Sequence, residues 1–192
     1  MLDHIKQLRE ETGAPLGEIK KALQASGGNT EKAKILLRRH GGLILSKRAS
    51  RQTKAGIVEA YIHSNGKVGV LLELLSESDF VARNQAFKEL AHDLAMQVAA
   101  MDPQFVSSKD VTQEVKDSLY EMFARETETA GKSDSIKKQI VEGKIEKLIQ
   151  EQSLMEQPFI KDQSKTVGEI IQEAAGKFGE KIRIGKFARF QL

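Results

Sequence analysis

Ser78-Asp79-Phe80-Val81-Ala82-Arg83-Asn84 lies at the join between an alternating apolar run and an amphipathic helix. Upstream, Val68, Val70, Leu72 and Leu74 recur with a period of two, which predicts a strand over about 67–75. Downstream, Phe87, Leu90, Ala91, Leu94, Ala95, Val98 and Met101 recur at helical spacing, so one face of that helix is buried. Ser78 or Asp79 is placed to cap the helix, at its electropositive end, where backbone N–H groups lack intrahelical partners. Two readings of Phe80 follow. Either its ring tucks into the core at a strand-to-helix turn, or Asp79 and Phe80 are presented outward as a probe for a partner.

Upstream of that strand, Val58, Ala60 and Ile62 alternate on one face from Ile57 onward, and Ser64-Asn65-Gly66-Lys67 follows. Asn-Gly between alternating runs signals a tight hairpin with φ > 0 at both turn positions. Antiparallel strands are therefore expected at about 56–63 and 67–75. Near the end of the chain, from Lys181 to Leu192, alternation returns with Ile182, Ile184, Ala188 and Phe190 on one face, as a third strand for the same sheet.

The first forty residues predict three short helices. Leu2, Ile5 and Leu8 form one stripe, Leu16, Ile19 and Leu23 a second, and Ala33, Leu36 and Leu37 a third. Gly13-Ala14-Pro15 and Gly27-Gly28 break the chain between them, and Asn29 is placed to cap the third. Residues 41–55 then read as a basic linker, opened by Gly41-Gly42 and carrying Lys47, Arg48, Arg51 and Lys54. Residues 1–55 carry a balance of +7 and the remainder −4, giving the whole chain +3. A basic front end suits nucleic acid, an acidic partner or a solvated tether. With no aromatic interleaved for base stacking, the tether is the better reading.

After Met101-Asp102-Pro103, helices are expected at roughly 111–130 and 134–153, joined as a hairpin at Gly131. Val115, Leu119, Met122 and Phe123 mark the inner face of the first, and Ile136, Ile140, Ile145, Leu148, Ile149 and Leu154 that of the second. Pro158 closes the second, and Thr166-Val167-Gly168-Glu169 is a capping box for a last helix ending at Gly179. Val167, Ile170, Ile171, Ala174 and Phe178 are its core positions. The fold class is α+β, with a three-helix module at 1–40, a linker at 41–55, and helices packed on a small three-stranded antiparallel sheet over 56–192.

Enzyme chemistry finds little support. The four histidines are scattered, cysteine is absent, and no metal-ligand spacing occurs. Gly131-Lys132-Ser133 imitates the end of a phosphate-binding loop, but Glu126 stands where the earlier glycine is required and the preceding segment reads as helix. No catalytic residue, cofactor or metal is expected. No apolar run approaches the ~18 residues that span a bilayer, and the first residues lack the apolar core of a signal peptide. A cytoplasmic location and no membrane partner are expected.

The front pattern, Thr12-Gly13-Ala14, Lys20-Lys21-Ala22-Leu23, Gly27-Gly28-Asn29 and Ala33, resembles ubiquitin-associated-type three-helix modules. It is most similar to the N-terminal module of the elongation factor Ts family. Asp79-Phe80-Val81-Ala82-Arg83-Asn84 matches that family's signature, with Ser78 in place of its usual Thr. Leu154-Met155-Glu156-Gln157-Pro158-Phe159-Ile160-Lys161-Asp162, then Thr166-Val167-Gly168-Glu169, and finally Phe187-Ala188-Arg189-Phe190 also match, so the resemblance runs almost end to end.

This resemblance implies guanine-nucleotide exchange on elongation factor Tu, without catalytic chemistry of the chain's own. Ser78, Asp79, Phe80 and Val81 would enter the GTPase near its magnesium and nucleotide, with Phe80 in an apolar slot and Asp79 disturbing the magnesium coordination. Arg9, Leu16, Arg83 and Asn84 would make further contacts. The family's longer members repeat the core, and this chain shows no second copy, so a homodimer is expected. No direct nucleic-acid binding is expected. The competing readings are a ubiquitin-associated-type adaptor, acting through the three-helix module alone, and an RNA-associated protein, whose binding would fall steeply with salt.

Overall fold

Apolar stripes on three successive helices have to be buried against something, and in the first part of the chain they bury one another. The computed structural model describes residues 2–127 and 134–192. Helices α1 (Leu2–Thr12), α2 (Leu16–Ala25) and α3 (Thr30–Lys47) enclose Leu8, Ala14, Ile19, Ala22, Leu23, Ala33 and Leu37. The Asn29 side chain accepts a hydrogen bond from the Lys32 amide at 2.9 Å, capping α3 as its position predicts. Leu2 and Leu16, expected on the inner stripes, are instead exposed, each at the first position of its helix.

Gly41-Gly42 does not open a linker. Both residues lie inside α3, which continues to Lys47. The reason is packing against α8 (Val167–Phe178). A Cβ at Gly41 would sit 1.9 Å from the Gln172 carbonyl oxygen, and one at Gly176 would sit 3.4 Å from the Gly41 Cα. Glycine on both helices lets the two backbones meet. Helix breakers by propensity have become crossing residues, and tertiary contact outweighs a helix cost of about 1 kcal/mol per glycine. Arg38, one turn earlier, reaches Glu169 at 2.9 Å and Glu173 at 3.2 Å across the same crossing.

The sheet has the order β1-β2-β5, with β1 (Ala55–Ile62), β2 (Val68–Ser76) and β5 (Arg183–Gln191) all antiparallel. The hairpin differs from the tight two-residue form. The Gly66 amide donates to the His63 carbonyl at 2.8 Å, and Gly66 (φ 67°) is left-handed while Asn65 is not. Asn65 acts through its side chain, accepting from the Lys67 amide at 2.9 Å.

One face of the sheet, through Val70, Leu72, Leu74 and Ile184, is buried under helices. A register shift between Leu72 and Leu74 corrects the expected face of the last strand. Ile184 pairs with Leu74, yet Phe187 pairs with Leu72, so one extra residue of β5 is accommodated beside Glu73. Beyond this bulge the alternation is inverted. Phe187 and Arg189 share the helix-covered side with Leu72 and Val70, while Ala188 and Phe190 go to the open side with Leu71 and Gly69. The Arg189 Nε accordingly donates to the Ala99 carbonyl.

Over the covered face lie the short α4 (Asp79–Ala82), α5 (Gln85–Met101) and α8. Phe87 and Phe178 meet edge-on at 5.9 Å between α5 and α8. Met101, expected on the buried face of α5, is exposed at its end.

The described chain divides into two compact units, Met1–Ala99 with Gly168–Leu192, and Ala100–Val167. The three helices and the sheet fall in the first of these units. In the second unit, α6 (Gln113–Thr127) and α7 (Asp134–Gln152) enclose Val111, Val141, Ile145 and Ile149, with Phe105, Val115, Leu119 and Phe123 packed alongside. Met122 and Ile136, expected inside, are exposed. The Gly131 turn lies outside the described residues. A two-stranded ribbon, β3 (Pro158–Phe159) and β4 (Asp162–Thr166), follows α7 and had no signal in the alternation.

Candidate functional site

A large apolar side chain at the N-terminal turn of a helix can face the core or the solvent, and capping geometry decides which. Ser78 has extended backbone (φ −131°, ψ 153°), and its Oγ accepts from the Val81 amide at 3.4 Å as the cap of α4. Asp79 and Phe80 are then the first two residues of α4, both exposed, and Phe80 is 83% exposed. Val81 and Ala82 turn the other way and are 3% exposed each. Val81 was expected among the partner contacts. Its side chain is buried in the core beneath the turn.

The helix predicted to run from Ser78 is broken into two at Arg83-Asn84. Asn84 Oδ1 accepts from the Ala86 amide at 2.9 Å, and the Asn84 carbonyl accepts from Phe87 and Lys88. Asn84 is therefore the N-cap of α5. Asp79, Phe80, Arg83 and Asn84 together line one open hollow on the surface. Arg9 and Leu16 are exposed on α1 and α2, apart from that hollow's lining.

What holds the turn was not read from the sequence. Glu180 accepts hydrogen bonds from the Ser78 Oγ at 2.6 Å, the Ser78 amide at 3.0 Å and the Glu77 amide at 3.1 Å. In the reverse direction, the Glu77 carboxylate accepts from the Lys181 amide at 2.7 Å. Glu77 also takes two hydrogen bonds from Arg48 Nη1, at 2.8 and 2.9 Å, and one from Arg51 Nη1 at 2.8 Å. Burial pushes the Glu77 carboxyl up. Hydrogen bonds from Arg51, the Lys181 amide and Arg48 outweigh that and bring it down to about 2. Ser76, fully buried, donates its Oγ to the Ser78 carbonyl at 3.0 Å. Arg48 and Arg51 lie in the stretch whose sequence reads as a solvated tether. Their spacing of three, just past a helix end, carried no hint that the partner was a carboxylate 26 residues downstream of Arg51.

This geometry offers an aromatic anchor and a carboxylate side by side on a fastened turn. Among the described residues, no group of three or more His, Asp or Glu side chains is placed to hold a metal ion, and no helix is long and apolar enough to cross a membrane. Residues 8–192 match the sequence model of a family described as Elongation factor TS. The chain belongs to the elongation factor Ts family. An elongation factor Ts from Koribacter versatilis is 46% identical over 188 residues, covering 98% of this chain and 86% of that protein. One from Rubrobacter xylanophilus is 44% identical over 191 residues, covering 100% and 98%, and one from Thermotoga neapolitana is 46% identical over 191 residues, covering 100% and 96%. Its function is that of a translation elongation factor of the Ts type, and the exposed Asp79-Phe80 pair falls within the matched region.

Proposed function

We propose that the chain is a guanine-nucleotide exchange factor for elongation factor Tu, and that it works through Asp79 and Phe80. The observation that carries this reading is an almost fully exposed phenylalanine on a turn whose neighbours Val81 and Ala82 are buried. An exposed aromatic ring gains most when it fills a partner's apolar slot, and such anchors dominate interface energies. Asp79 beside it brings a carboxylate to the region where the partner holds its magnesium ion. The chain needs no acid, base or bound cofactor for this. It needs to prefer the nucleotide-free conformation of the GTPase.

That preference carries a thermodynamic obligation. If the factor weakens GDP binding by some ratio, GDP weakens factor binding by the same ratio. Titration calorimetry of the chain into nucleotide-free and GDP-loaded elongation factor Tu measures one side, and GDP binding with and without the chain measures the other. Equal ratios well above one are expected. A factor that binds both forms alike would contradict the proposal.

Two finer readings accompany it. The three N-terminal helices act as a docking module of the ubiquitin-associated type, with the exposed Arg9 and Leu16 touching the GTPase. A homodimer forms through the open face of the sheet, where Val58, Ile62 and Phe190 are each about two-thirds exposed and Leu71 about half. One self-complementary apolar patch suffices for a two-fold interface.

A further inference from the structure

Phe80 can serve as an anchor only if the short helix beneath it holds still, and four residues of helix have little stability of their own. The main-chain groups just before α4 are held from elsewhere in the fold. Three donors at the entry to α4 converge on one carboxylate, that of Glu180. Glu180 itself sits immediately after the C-terminal turn of α8. There Gly179 (φ 68°) takes the left-handed conformation that ends a helix, and its amide bonds the Ala175 carbonyl at 2.9 Å. The next residue returns the bond, the Lys181 amide donating to Glu77. Residues 77–78 and 180–181 thus clasp each other by reciprocal amide-to-carboxylate hydrogen bonds, charge-assisted in both directions.

From this clasp we infer that Glu180 is a positioning residue for exchange: it touches neither nucleotide nor GTPase, and sets the attitude of the Asp79-Phe80 turn. The inference rests on the proposed role of Phe80. Three hydrogen bonds to one ionised group outweigh the usual single cap, and their loss leaves the two amides and the hydroxyl at the base of the turn without their partner. Glu180 contributes to exchange through geometry, so its loss lowers the rate inside the complex more than the affinity for forming it.

The test is the rate of fluorescent GDP release from elongation factor Tu against the concentration of full-length chain, which separates maximal rate from half-saturating concentration. Glu180→Ala is expected to lower the maximal rate about tenfold, the equivalent of one charged hydrogen bond. Glu180→Gln is expected to restore most of it, because its oxygen can accept both amides while its NH2 donates to the Ser78 hydroxyl. A variant that had only lost folded population would show a raised half-saturating concentration with an unchanged maximum. Phe80→Ala is run in parallel. If Phe80→Ala slows release and Glu180→Ala leaves the maximal rate within about twofold of the unsubstituted chain, a spread smaller than one ordinary hydrogen bond, the positioning role is overturned while the anchor stands. If Phe80→Ala releases GDP as fast as the unsubstituted chain, the anchor fails and the positioning role with it. Should Glu180→Ala not fold, Ser78→Ala removes one of the three bonds and the α4 cap. It is expected to lower the maximal rate roughly threefold, and an unchanged maximum overturns the inference.

Discussion

At the scale of single residues, Glu77 has the most consequential environment. Its side chain is only 13% exposed, and the carboxylate takes hydrogen bonds from two guanidinium groups and one amide. A carboxylate held at about 2 in the folded chain, against an ordinary 4.5, contributes stability that is fully present above pH 4.5. That contribution drains away as pH falls through about 2, where the folded form also takes up the proton. With Arg51 more than half exposed, the full shift overstates the energy, and about 2 kcal/mol is a reasonable scale. Glu77→Gln should therefore be less stable than the unsubstituted chain at pH 7, with the gap closing between pH 4.5 and 2. Urea midpoints across that range check it, and a gap independent of pH would contradict it. The sequence made Phe80 and Asp79 legible, because a strand ended and a helix began there. It left Glu77 and Glu180 unread, since a carboxylate's partners come from chain segments as much as 104 residues away.

Among the elements, the third helix and the last strand show where periodicity stops being informative. Helix spacing finds the stripe Ala33, Leu37, but a glycine pair inside a helix has the same local signature as a linker. What distinguishes them is the neighbour. A Cβ on Gly41 would lie 1.9 Å from the Gln172 carbonyl, whereas one on Gly42 would meet the Gln172 side chain at an ordinary 3.5 Å. Two adjacent substitutions should then have opposite signs. Gly41→Ala should destabilise by about 1–3 kcal/mol through overpacking, and Gly42→Ala should stabilise by up to about 1 kcal/mol through helix propensity. Thermal unfolding of both variants decides, and equal effects would place the crossing elsewhere. In β5, strict alternation assigned Ala188 and Phe190 to the face of Ile182 and Ile184. A bulge opposite Glu73 reverses them. Bulges leave the composition of a strand unchanged, so only pairing reveals them. In α7 the expected Ile145 and Ile149 are inside, while at its start Ile136 is exposed and Val141, off the expected stripe, is buried.

For the molecule as a whole, that reversal decides which residues a dimer would use. The open sheet face carries Phe190 with Leu71, Val58 and Ile62, rather than Phe187, which pairs with the buried Leu72. Light scattering at micromolar concentration should give a mass near twice the 21.3 kDa of the chain, and Leu71→Lys should reduce it to that of one chain. A single-chain mass for both would remove the dimer. Exchange itself tests the central claim most directly. Stopped-flow release of fluorescent GDP from elongation factor Tu, with saturating unsubstituted chain and then with Phe80→Ala, should show a loss of roughly 30-fold, the scale of an aromatic anchor worth about 2 kcal/mol. The melting temperature should hold, because the ring is 83% exposed and buries little in the fold. Unchanged release together with a large fall in melting temperature would mean that Phe80 serves the fold and not the partner.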